Sequence, residues 1–361
     1  MGGAEKQAER LSEELLKNKE INQINIITRH YSGLKRKENY KGMEITRLSA
    51  IGPGKLKPLT FLISCFFYLL INHKKIDIFH AHSLSFGGFS ASLFGRIFRK
   101  PSISKIAGGG SPLGCEAVNM YDKGGFARWR LNFLKKNIDK VIAISDDIQK
   151  DLLKLGFEQK KIVKINNGIK FNESENKNID IIEMSKNYQV FCYAGRFEKI
   201  KGIDILLKSW YKTSRSFRNK SRLIIIGKGS INIDSQIRDS SVINIGYVNN
   251  TEEYLIEHNT FILPSRYEGI SNALLEAIKN KCLIIASNVG GNKDIIEHKN
   301  NGLLFEKENV NDLTNKIELV DEIEEVIKSD MIKKGYTGIN KNYNLKSIAN
   351  SYAALYKELI N

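Results

Sequence analysis

The segment Glu268-Gly269-Ile270-Ser271-Asn272-Ala273-Leu274-Leu275-Glu276 follows the apolar run Phe261-Ile262-Leu263-Pro264. The run reads as a buried strand, and the segment as the loop leaving it and the first turns of a helix. Glu268 falls in the loop, and Glu276 lies about two turns into the helix. Between them the backbone N–H groups of Gly269 to Asn272 are free at the positive end of the helix, a place that favours a diphosphate. One stretch therefore offers acceptors for hydroxyls and donors for phosphates. A turn capped by Ser271 with two solvated glutamates has the same local signature, so the surroundings must decide.

A second loop, Gly195-Arg196-Phe197-Glu198-Lys199-Ile200-Lys201-Gly202, follows the apolar residues 190–194 and carries two cations off the end of another expected strand. Ligands of open α/β sheets bind at such strand ends. Strands are expected at 24–27, 76–79, 102–106, 141–144 and 162–165, and again at 190–194, 223–226, 242–245, 260–263 and 283–286. They alternate with helical patterns, and their continuous Val/Ile-rich composition implies parallel strands covered on both faces. A chain of 361 residues suits two such cores better than one.

In order and spacing these loops resemble the retaining glycosyltransferases of family 4. The likeness continues through Gly2-Gly3-Ala4-Glu5, Asp77-Ile78-Phe79-His80-Ala81-His82-Ser83, Val141-Ile142-Ala143-Ile144-Ser145 and Asn167-Gly168-Ile169. It ends with Ile226-Gly227-Lys228-Gly229, Asn244-Ile245-Gly246-Tyr247 and Asn288-Val289-Gly290-Gly291. The resemblance implies an α/β GT-B architecture, two doubly wound Rossmann-like parallel-sheet domains facing across a cleft. It implies an acceptor-binding domain over 1–170, a linker at 171–187, a nucleotide-sugar-binding domain over 188–343 and a C-terminal helix, 344–361, packed back toward the first domain.

The reaction so implied moves a sugar, with retention, from a nucleoside-diphosphate sugar to a glycan or lipid-linked acceptor of a surface polysaccharide, lipopolysaccharide or glycolipid. The likeness points to a UDP-sugar, while neither base nor sugar is written in the residues. No metal or cofactor is expected, because the family stabilises the departing diphosphate with cations and a helix end, and the chain contains no Asp-x-Asp. The expected catalytic residues are Glu268, Arg196, Lys201 and His82. Donor binding is expected from Gly3, Arg196, Lys201, Gly227, Lys228, Tyr247, Val248, Glu268, Gly269, Ile270, Ser271, Asn272 and Glu276. By position Arg196 and Lys201 fall to the diphosphate, Glu276 to the ribose hydroxyls and Glu268 to the transferred sugar. The residues around 227–229 and 246–248 edge the base. Where many members carry a His after the next strand, this chain has Ile106-Ala107-Gly108-Gly109-Gly110-Ser111. The favoured family account, a front-face displacement in which the leaving phosphate helps deprotonate the acceptor, needs no enzymic nucleophile.

Composition narrows the setting. The net charge of +16 is concentrated in residues 1–175, with 30 Lys or Arg against 17 acids, +13. Such a field attracts polyanions. No aromatic and basic nucleic-acid module accompanies it, so an anionic membrane surface is the preferred partner and nucleic acid is not expected. Lys55 and Lys57 precede the apolar residues 59–71, whose Phe61, Phe66, Phe67 and Tyr68 suit a headgroup boundary. A buried helix of the first domain reads the same way. This stretch of thirteen residues falls short of the roughly 20 that span a bilayer. Four dispersed cysteines fit reduced thiols, and no secretion signal opens the chain, so a cytoplasmic protein, peripheral on the inner face of the plasma membrane, is expected.

Ala4, Ala8, Leu11 and Leu15 recur at helical spacing, so a helix begins almost at once, with Gly2-Gly3 as its phosphate-facing turn. The family pattern has an apolar strand before those glycines. Its absence here implies a native chain longer by roughly ten residues or more. Two other readings stay open: a GT-B sugar-nucleotide epimerase, and a non-catalytic partner subunit of a glycosyltransferase. Dinucleotide oxidoreduction is poorer, for want of a Gly-x-Gly-x-x-Gly in a first βα unit. Oligomeric state is not read from the sequence.

Overall fold

The structure, a computed structural model, describes residues 3–54, 56–106, 114–171 and 177–361. Gly2, Lys55, the 107–111 part of the glycine-rich loop and the 172–176 part of the expected linker lie outside the described residues.

The first half runs through α1 (Gly3–Leu15), β1 (Asn25–Arg29), β2 (Lys37–Tyr40), β3 (Met43–Leu48), α2 (Leu56–Asn72), β4 (Phe79–Ala81) and α3 (Phe89–Phe98). It continues with β5 (Ser102–Lys105), α4 (Glu116–Asp122), α5 (Gly125–Asn137), β6 (Lys140–Ala143), α6 (Asp146–Lys154) and β7 (Ile162–Lys164). Strands β4, β5, β6 and β7 form one parallel sheet in that order, and β1, β3 and β2 form another. The single first-half sheet anticipated from the alternation is thus observed as two, with β1 and β4 as end strands. Common packing holds them together. Ile27 and Phe79 share a cluster with Cys65, Leu69 and Phe94, and Ile24 and Ile78 pack on Leu11, Ile103 and Tyr352.

Two first-half elements depart from the sequence reading. Strand β2 pairs antiparallel with β3 through a two-residue turn at Lys41 (φ 53°) and Gly42 (φ 83°), the hairpin geometry that matches strand twist. Helix α2 with the 3-10 turn that follows it extends over Leu56–Lys75, 20 residues long and by length and composition apolar enough to cross a membrane, where only residues 59–71 had been counted. One of its faces rests on the domain: Cys65 and Leu69 are buried beside Phe94, and Phe66 stacks on Phe98.

The second half contains α7 (Ile179–Asn187), β8 (Gln189–Ala194), α8 (Ile203–Lys212), α9 (Arg215–Asn219), β9 (Ser221–Ile226), β10 (Val242–Gly246) and β11 (Thr260–Leu263). After these come α10 (Asn272–Lys279), β12 (Leu283–Ser287), α11 (Asn292–Ile295), β13 (Leu303–Phe305), α12 (Val310–Glu322), α13 (Glu325–Asn342) and α14 (Leu345–Ile360). All six strands are parallel, in the order β10, β9, β8, β11, β12, β13. Side chains on both faces are buried: Phe191 and Tyr193 meet α8 through Trp210, while Cys192 and Ala194 face the cluster containing Leu274 and Leu275 of α10. Chain order reverses between β8 and β11, the switch point at which such sheets open a crevice at their carboxyl ends.

The chain crosses between halves twice. The Ile169 N–H donates to Tyr343 O (2.8 Å) and the Leu345 N–H to Ile169 O (3.0 Å), so the crossings are bound to each other. Beyond them α14 returns to the first half, burying Ile348, Tyr352 and Leu355 against Leu11, Leu15, Ile103 and Ile142.

Candidate active site

The loops after β8, β9, β10 and β11 open into one cleft of about 940 Å³, closed on its other side by α1 and the ends of β4 and β5. Every residue anticipated for catalysis or donor binding lines this cleft: His82, Gly3, Arg196, Lys201, Gly227, Lys228, Tyr247, Val248, the run Glu268 to Asn272, and Glu276.

Glu268 and Lys201 meet directly. Lys201 Nζ donates to Glu268 Oε1 at 2.5 Å, and Ser265 Oγ donates to the same oxygen at 2.8 Å. Glu268 is 6% exposed, and its second oxygen has no recorded hydrogen bond among the described residues. The backbone that carries it is held from behind. A Cβ on Gly290 (φ 45°) would stand 1.8 Å from Glu268 O, and one on Gly291 1.7 Å from Gly269 O, so the Gly-Gly pair after β12 lets the two loops touch.

Ser271 caps α10 through an Oγ that accepts the Leu274 N–H (3.4 Å). Such a cap is worth about 1 kcal/mol and fixes where the free N–H groups sit. The N-terminus of α1 comes up against it: Asn272 Nδ2 donates to Gly3 O (3.0 Å), and Gln7 Nε2 donates to Asn272 Oδ1 (2.8 Å) and to Gly168 O (3.0 Å). Two helix N-termini from opposite halves thus border one cavity, and both favour negative charge.

Glu276, also 6% exposed, is engaged at both oxygens, by Arg10 Nη2 (3.1 Å) and Thr251 Oγ1 (2.9 Å). A diol binding there shares or replaces those donors. Lys228 Nζ stands 4.3 Å from the centre of the Tyr247 ring, and that ring is half-exposed in the cleft, as a stacking surface for a base requires. Arg196 is less committed: its side chain is 61% exposed and its Nη1 bonds Glu198 Oε1 at 2.8 Å, so it lines the cleft while also making a surface ion pair.

His82 stacks on His80 with ring centres 4.4 Å apart, as residues i and i+2 leaving a strand on one face. Burial, with neighbouring His80 and Lys105 adding to it, holds its pKa well below the ordinary 6.5. As a neutral ring it exchanges hydrogen bonds but supplies no cation to a diphosphate. Lys105, at the end of β5, was not found by sequence reasoning. It is 5% exposed, lines the cleft, has no carboxylate partner among the described residues and lies 6.0 Å from the Tyr352 ring centre. Burial lowers its pKa to about 8. A lysine at the end of a strand expected to be covered on both faces was the available signal. Gln7, Arg10 and Thr251 had none, since their partners are distant in sequence.

Residues 1–173 match the family described as Glycosyltransferase Family 4, and residues 188–320 match Glycosyl transferases group 1. The chain belongs to glycosyltransferase family 4. Staphylococcus aureus CapH, a capsular polysaccharide biosynthesis glycosyltransferase, is 28% identical to this glycosyltransferase over 254 residues, covering 64% of this chain and 65% of that one. The Escherichia coli UDP-Gal:alpha-D-GlcNAc-diphosphoundecaprenol alpha-1,3-galactosyltransferase is 24% identical over 320 residues, 84% of this chain and 81% of that one. In fold, the family 4 enzyme matches the crystal structure of Anabaena HepE in complex with UDP-glucose at a TM-score of 0.80, with 17% identity, covering 99% of this chain and 97% of that one.

Proposed function

We propose that this glycosyltransferase moves a sugar from a UDP-sugar, with retention, to a glycan or lipid-linked acceptor of a cell-surface polysaccharide or lipopolysaccharide. The observation that carries the reading is the convergence, in one cleft, of the Lys201–Glu268 pair with the N-termini of α1 and α10. Departure of the diphosphate builds negative charge at that convergence, and preorganised donors stabilise it without a nucleophile or a metal. Lys201 supplies the point charge and Arg196 a planar fork once it leaves Glu198. Glu268, steadied by Lys201, Ser265 and the glycine pair behind it, keeps one carboxylate oxygen for a sugar hydroxyl. Glu276 takes the ribose hydroxyls, and Tyr247 with Lys228 flanks the base.

Uridine as the base and a lipid-diphosphate glycan as the acceptor are supported by the name of the Escherichia coli relative and by the UDP-glucose in the Anabaena structure. A thermal-shift panel of nucleoside diphosphates and their sugars tests the reading. UDP and one UDP-sugar should raise the melting temperature most, and transfer should require the acceptor. No shift with any nucleoside diphosphate refutes it, and conversion of the donor without an acceptor supports an epimerase instead.

A further inference from the structure

We propose that the outer face of α2 seats the first half of the enzyme on an anionic lipid bilayer. Leu59, Ile63, Phe67 and Ile71 recur every four residues and lie on one side of α2, opposite buried Cys65 and Leu69. They are 53, 49, 61 and 82% exposed, so the helix is apolar toward the core and apolar again toward the outside. Contiguous exposed apolar surface of this kind marks an interaction site.

Charge selects the partner. Residues 55–100 contain seven Lys or Arg and one acid, Asp77. Lys57 lies at one end of α2, and Lys74 and Lys75 follow the other; all three are exposed, with no ion pair recorded among the described residues. An apolar stripe ended by cations fits acyl chains flanked by anionic headgroups. A protein partner would have to meet that stripe without any acid on α2 to pair with. The packed opposite face makes α2 an element lying along the interface rather than through it, although its length and composition alone would allow a span.

Flotation of the full chain with vesicles tests the proposal. Vesicles of equal parts phosphatidylcholine and phosphatidylglycerol should carry the protein at low salt, and phosphatidylcholine alone should carry little. The pair Ile63→Glu and Phe67→Glu, and separately Lys74→Glu with Lys75→Glu, should each weaken binding by at least about tenfold. Both variants should keep the wild-type melting temperature and its response to UDP, which separates loss of the surface from loss of the fold or of donor binding. Equal flotation with neutral vesicles, or binding untouched by both variants, overturns it. So does a concentration-dependent dimer that Phe67→Glu dissolves, which would give the face to a second copy.

Discussion

Lys201 Nζ sits 2.5 Å from Glu268 Oε1, joining the loop after β8 to the loop after β11 across the point where the strand order turns. The cation proposed for the departing phosphate and the carboxylate proposed for the sugar therefore hold each other in place before any ligand arrives. Glu268 is almost wholly buried, so removing its counter-ion leaves a stranded charge. Lys201→Ala should cost about 3 kcal/mol of stability as well as most turnover. Combining it with Glu268→Gln should restore much of the urea midpoint while turnover stays lost. Full turnover in Lys201→Ala would remove Lys201 from the chemistry.

Glu276→Ala should weaken UDP binding by about 10- to 100-fold, the loss expected when hydrogen bonds to a charged group vanish. Glu276→Gln, which keeps one acceptor, should lose less. Calorimetry with UDP and with uridine-free pyrophosphate separates the effects, since only the former should respond.

Lys105 gives the site a pH signature. Its ammonium is charged below about pH 8 in the unliganded protein rather than up to the ordinary 10.5. Affinity for UDP should therefore fall as pH rises through about 8, and Lys105→Met should be weaker at pH 7 and lack that decline. An identical profile in the variant would separate Lys105 from the ligand.

Acid should unfold the first half early. Burial lowers the His80 pKa from 6.5 to about 3, and its Nδ1 shares a hydrogen bond with the Tyr356 hydroxyl at 2.7 Å. Between pH 6.5 and about 3 the unfolded chain carries more protons on His80 than the folded one, so stability present above 6.5 is lost progressively on acidification. Urea midpoints at pH 7, 6 and 5 should fall, and His80→Gln should flatten the slope; equal slopes would refute the assignment.

Second-half strands were legible because burial on both faces leaves continuous apolar runs, and β11 lies at residues 260–263 as read. The hairpin was not. In β2, Lys37-Glu38-Asn39-Tyr40 is an edge strand with no apolar period, and its register comes from the Lys41–Gly42 turn. Strand β4 starts at Phe79, three residues later than expected: a 3-10 turn at His73–Lys75 is followed by a bend at Asp77 before pairing with β5 begins. In the site, the loops after β8 and β11 were readable from local pattern alone. What closes the cleft was not, since Gln7 to Asn272 and Arg10 to Glu276 are contacts across more than 260 residues.

The most direct measurement is the affinity of the full chain for UDP compared with uridine, by titration calorimetry at pH 7. If cations and two helix N-termini grip the pyrophosphate, UDP should bind at one site at least about 100-fold more tightly than uridine, with the advantage reduced in Arg196→Ala. Equal affinity for the two, or no binding of UDP, would contradict the account.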